Sequence, residues 1–144
     1  MNIYEQIVLR WKEQMLARRP AVGPNALDKF EEIHGLKLPV ALRRLFLLSN
    51  GLAQGEYDRV NHVRFWPLEE LSYVKECAPE LATSATDEHL VFADYSVWAH
   101  AYAVSPKVGS VVVIGGTKAR NLSGSMDDFM SMYLENDLSR VESA

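Results

Sequence analysis

The chain has 144 residues, 48% apolar and 24% charged, with a net charge of −4. That composition fits one soluble globular domain large enough to bury a core, and it excludes a collagen-like or disordered chain. Residues 1–50 carry eight Lys/Arg against five Asp/Glu, a net of +3, while residues 51–144 carry seven against fourteen, a net of −7; the acidic part disfavours nucleic acid as a partner and suits a basic one.

Ile3, Ile7, Trp11 and Met15 recur every four residues, with Val8 and Leu16 beside them. Glu5, Arg10, Lys12 and Glu13 take the other side. The spacing predicts an amphipathic helix ending near Arg18-Arg19-Pro20. Its charges interrupt the apolar centre that a secretory signal requires. No apolar run approaches the ~18 residues of a bilayer-spanning helix. The single cysteine, Cys77, cannot form an internal disulfide. These features point to the cytoplasm and away from a membrane.

Residues 21–24 read as a linker. Asn25 is the expected cap of a second helix carrying Leu27, Phe30 and Ile33, closed by Gly35. Pro39 suits the first turn of a third helix, in which Leu42, Leu45 and Phe46 share a face. Asn50-Gly51 supplies the stop. Residues 52–58 form a loop. Residues 61–66 alternate as a strand, with Val63 and Phe65 facing one way and His62, Arg64 and Trp66 the other. Pro67 ends it, a helical turn follows over 68–71, and helix extends over 73–78. Residues 81–88 read as a surface loop.

A second strand covers 89–94. A third covers 97–104, with large residues at Trp98, His100, Tyr102 and Val104 and small ones at Ala99, Ala101 and Ala103. The alanine face invites a close helix layer. Residues 105–110 turn the chain, and the wholly apolar 111–114 is expected to sit inside the sheet. Ser125 caps a last helix whose stripe is Met126, Phe129, Met130, Tyr133 and Leu134. The tail from Asn136 is polar and expected to fray. Helices first, then strands, then one helix imply an α+β fold with a mixed or antiparallel central sheet of about four to six strands. Residues 1–144 then form one domain: 1–23 an N-terminal helix and linker, 24–135 the core, and 136–144 a tail.

Several residue groups invite a chemical reading. Asp94, Ser96 and His100 suggest a nucleophile, base and acid, yet no glycine-flanked nucleophile turn surrounds Ser96. His34, His62, His89 and His100 lack the spacing of zinc ligands. Gly115-Gly116-Thr117-Lys118 follows a strand without phosphate-loop spacing and reads as a turn. Cys77 sits beside Glu76, which disfavours a thiolate. No motif calls for a cofactor. Trp66 and the Trp98, His100, Tyr102 set are different. If their face is uncovered, they form an aromatic recognition surface ringed by Glu56, Asp58, Asp87, Glu88 and Asp94. If it is covered, they fill the core.

Three segments carry a family resemblance: Leu38-Pro39 through Asn50-Gly51, Phe65-Trp66-Pro67-Leu68-Glu69-Glu70-Leu71, and Phe92-Ala93-Asp94 followed by the later strands and the Ser125 to Phe129 helix start. In order and spacing, residues 24–135 resemble the SUKH superfamily of fungal cell-wall-assembly regulators and bacterial toxin-immunity proteins. The resemblance implies a sheet backed by helices and a non-enzymatic protein-binding role. It implies an adaptor or immunity protein; with the −7 balance of residues 51–144 this reads as one binding a cognate toxin, such as a nuclease, and the aromatic and acidic residues Trp66, Glu56, Asp58, Asp94, Trp98, His100 and Tyr102 are the candidate contacts. The alternatives are a regulatory scaffold or a small hydrolase using Asp94 and His100.

Overall fold

The computed structural model describes residues 1–115 and 119–138. Residues 116–118 of the glycine turn and 139–144 of the tail therefore lie outside the described residues. Helix α1 spans Ile3–Glu13. Asn2 accepts from the Glu5 backbone N–H at 2.8 Å, and the Glu5 carboxylate accepts from the Asn2 N–H at 3.1 Å, a reciprocal cap. The helix stops earlier than its periodicity predicts. Met15 turns left-handed at φ 58° and is exposed, and Leu16 swings back into the core. Residues 17–22 then run beside 46–53, with Ala53 N–H bonded to Ala17 O and Val22 N–H to Phe46 O. Arg18 and Arg19 thus belong to an extended segment rather than to a last helical turn.

Helix α2 spans Pro24–His34 and starts one residue before the expected cap, with Gly23 at the N-cap and Pro24 in the first turn. Gly35 ends it at φ 62°, as expected. Buried Glu31 accepts from the Leu38 N–H at 2.6 Å and from Arg43 at 2.8 Å, tying α2 to helix α3, Val40–Phe46. Ala41, Leu42, Leu45 and Phe46 are the buried face of α3.

Six strands form one antiparallel sheet: β1 Val63–Phe65, β2 Ser72–Tyr73, β3 Leu90–Tyr95, β4 His100–Val104, β5 Val111–Ile114 and β6 Arg120–Ser123. Their order is β1-β3-β4-β5-β6, and β2 also pairs with β3, at the end that β1 leaves free. The apolar β5 lies between β4 and β6, as its composition requires. A 3₁₀ turn at Leu68–Glu70, a short helix α4 at Val74–Cys77 and a second 3₁₀ turn at Pro79–Leu81 connect β1 to β3. The helix expected over 73–78 is present as Val74–Cys77, with Tyr73 in β2. Helix α5, Met126–Leu134, is capped by the Ser125 hydroxyl, which accepts from the Asp128 N–H. Leu138 is buried, so the tail is packed at least that far.

Register places Phe65, Ala93 and Tyr102 opposite one another on one face, and Arg64, Asp94 and Ala101 on the other. The first face meets the helices. Phe129 of α5 packs on Phe92 and Tyr102 at ring separations of 5.1 and 5.0 Å, and Phe65 packs on Tyr133 at 5.0 Å and on Trp11 at 5.5 Å. Phe92 reaches this cluster from a bulge in β3. The helix layer therefore covers the large residues of β4, not the alanines as expected.

Candidate protein-interaction surface

The face of the sheet away from α5 is organised by Asp94. Its carboxylate is 1% exposed. Oδ1 accepts from the Trp66 indole N–H at 2.7 Å, and Oδ2 accepts from the Tyr57 hydroxyl at 2.6 Å and the Trp98 backbone N–H at 2.9 Å. Burial first, and then the hydrogen bond to Asp94, hold the Tyr57 phenol well above its usual range. Next to Asp94, buried Arg64 makes a two-pronged contact with Glu70 at 2.8 and 2.9 Å and donates to Ala53 O. Asn50 caps the 3₁₀ turn, accepting from the Leu68 N–H at 2.7 Å and donating to Glu69, which also pairs with Arg19. Gly51 follows at φ 71°, with Phe65 O and the Trp66 carbonyl only 2.8 Å from where a Cβ would stand. The Asn50-Gly51, Phe65-to-Leu71 and Phe92-to-Asp94 segments, far apart in sequence, therefore close on one another.

The residues between β3 and β4 complete this surface. Strand β4 begins at His100, so Val97 and Trp98 lie in a hairpin tip and not in a strand. Ser96, Val97 and Trp98 adopt φ 46°, 54° and 68° in succession. Left-handed backbone is uncommon outside glycine and a genuine outlier for a β-branched residue such as valine. Three hydrogen bonds hold it: Trp98 N–H to Asp94, Ser96 N–H to His62 O at 2.9 Å, and Ala99 N–H to Tyr95 O at 2.9 Å. The Trp98 ring meets Trp66 at 5.4 Å while remaining 42% exposed, and Val97 is 77% exposed.

The seven candidate residues separate. Trp66, Asp94 and Trp98 meet on this surface. Glu56 lies next to Tyr57 in the flanking loop and is half-buried. Tyr102 is fully buried against Phe129, so the aromatic set of β4 does not form an uncovered face. His100 shares the Tyr102 face, opposite Asp94, and its ring lies 5.9 Å from Tyr95. Asp94 and His100 therefore cannot act as an acid–base pair across one site. Asp58 is fully buried elsewhere, accepting from the Val60 and Asn61 N–H groups, Gln14 and the Tyr133 hydroxyl. Tyr57 went unnoticed in the sequence; lying beside Asp58 in a loop, it gave no periodic signal.

Among the described residues no group of three or more His, Cys, Asp or Glu is placed to hold a metal ion. Burial raises the Cys77 thiol above its usual range, and Glu76 and Glu80 add to the rise. No helix among them is long and apolar enough to cross a membrane. What the surface offers is an aromatic display over a buried carboxylate that already accepts three hydrogen bonds. A model of the SMI1 / KNR4 family (SUKH-1) matches residues 21–132, which include all three converging segments. No curated protein matches the chain.

Proposed function

The chain belongs to the SMI1 / KNR4 family (SUKH-1), and from that premise we propose that it is a non-enzymatic protein-binding module. In this reading it is an immunity protein acting in the cytoplasm, where it occludes a cognate toxin by shape and charge. A nuclease, with its basic groove, matches the net of −7 over residues 51–144. The observation that carries the reading is the state of Asp94. The group best placed for chemistry on this face already accepts three internal hydrogen bonds, and those bonds display Trp66 and Trp98. A carboxylate so engaged is a structural post rather than a base awaiting a substrate proton.

The test is coexpression with the toxin domain encoded by the adjacent gene, followed by purification and a toxicity assay. Immunity predicts a stoichiometric complex and surviving cells. Absence of a complex with that domain would remove the immunity reading. Recovery of a host regulatory enzyme instead would move the chain to the scaffold role.

A further inference from the structure

Resting on the protein-binding reading, we infer that the β3–β4 hairpin tip is the element that enters the partner, with Trp98 and Val97 seated in an uncharged apolar pocket of the toxin domain. Three observations carry this. The tip holds three consecutive non-glycine residues in left-handed backbone, and strain of that kind persists only where surrounding structure over-determines it. Here the determinant is the buried Asp94 carboxylate, so the tip is fixed before any partner arrives. Of the side chains this strained backbone displays, Trp98 is of the type that dominates binding hot spots, and exposed Val97 adds apolar surface beside it.

The chemistry of the surroundings selects the occupant. Tyr57 and Trp66 flank the tip on the Asp94 side, and His62 and Tyr95, in edge-to-face contact at 6.2 Å, flank it on the other. The cation nearest Asp94 in the sheet, Arg64, is closed by Glu70. A single-stranded nucleic acid would need free cations beside its stacking platform. An amphipathic aromatic rim around a small apolar projection is what a protein pocket accepts.

Two variants separate binding from folding. Trp98→Ala truncates the anchor at a half-exposed position and is expected to weaken binding to the adjacent-gene toxin domain about thirtyfold or more, with the melting temperature lowered by no more than about 4 °C. Val97→Gly relieves the positive φ and removes the side chain, so it is expected to raise the melting temperature while weakening binding about tenfold. Val40→Ser, on the exposed face of α3, serves as a control and leaves affinity unchanged. Unchanged affinity in either tip variant overturns the inference alone. So does a Val97→Gly protein that loses stability and affinity together, because the tip would then act through folding. If the wild-type chain forms no complex with that domain, the immunity reading itself falls, and this inference with it.

Discussion

Two buried aspartates, Asp58 and Asp94, solve the same physical problem in different places. Each carboxylate is 0–1% exposed, and among the described residues neither has a cation in contact. An ionised carboxylate so placed is tolerated only when several donors replace the lost water. Asp58 takes four, among them Gln14 at the end of α1 and the Tyr133 hydroxyl of α5, and Tyr133 in turn accepts from the Trp11 indole at 3.0 Å. Around it Arg10 donates to the carbonyls of Tyr133 and Leu134, and Asn61 to that of Tyr133. This network welds a loop to two helices. Asp94 takes three donors, and two of them, Tyr57 and the Trp98 backbone, lie at the surface. The first carboxylate holds the fold together; the second holds a surface in shape. Burial of a carboxylate alone does not mark a functional site. What marks it is whether its donors lead inward or outward.

The largest expected effect is at Asp58. Asp58→Ala strands the Asn61 N–H and the Tyr133 hydroxyl in the core, and is expected to cost about 4 kcal/mol in urea unfolding. Asp94→Ala is expected to cost about 2 kcal/mol, since its outer donors can turn to water, and to abolish partner binding. Equal costs at the two positions would break the distinction. Tyr133→Phe is expected to cost about 1 kcal/mol at pH 7. Burial first, then Asp58, hold that phenol well above its usual range. Its folded pKa exceeds the unfolded value of about 10, so its contribution is complete below pH 10 and falls as pH rises further. The gap between wild type and Tyr133→Phe should therefore narrow above pH 10 in pH-dependent unfolding. Smallest of all, Trp98→Ala is expected to cost no more than about 1 kcal/mol, because the ring packs on Trp66 but is half-exposed.

The helices and four of the six strands were legible from pattern alone. The buried face of α3, the Gly35 cap, the Ser125 cap and the apolar β5 follow from periodicity and local chemistry, which act within a few residues. Strand β6 was not, because Arg120-Asn121-Leu122-Ser123 is a half-exposed edge with no apolar alternation; nor was β2, at two residues. The hairpin tip hid for another reason. The alternation of large and small residues runs on through Trp98 and Ala99, and no glycine or asparagine marks the turn. The Asp94 carboxylate and the His62 and Tyr95 carbonyls impose it. Asp58 read as a surface acid because Gln14 and Tyr133, which bury it, lie 44 and 75 residues away. On the candidate surface, Trp66 and Asp94 were each legible as candidate contacts, but their pairing was not. Their hydrogen bond is a product of the β1–β3 register.

The three tryptophans offer a direct test of the claim that the chain works by displaying its hairpin tip. Each indole N–H occupies a distinct environment: Trp11 donates to Tyr133 in the core, Trp66 donates to Asp94, and Trp98 stands half-open at the tip. Indole ¹H–¹⁵N spectra recorded while the toxin domain is added should show the Trp98 resonance moving most, Trp66 following, and Trp11 staying in place. A complex that forms with the Trp98 and Trp66 resonances unmoved would contradict the account.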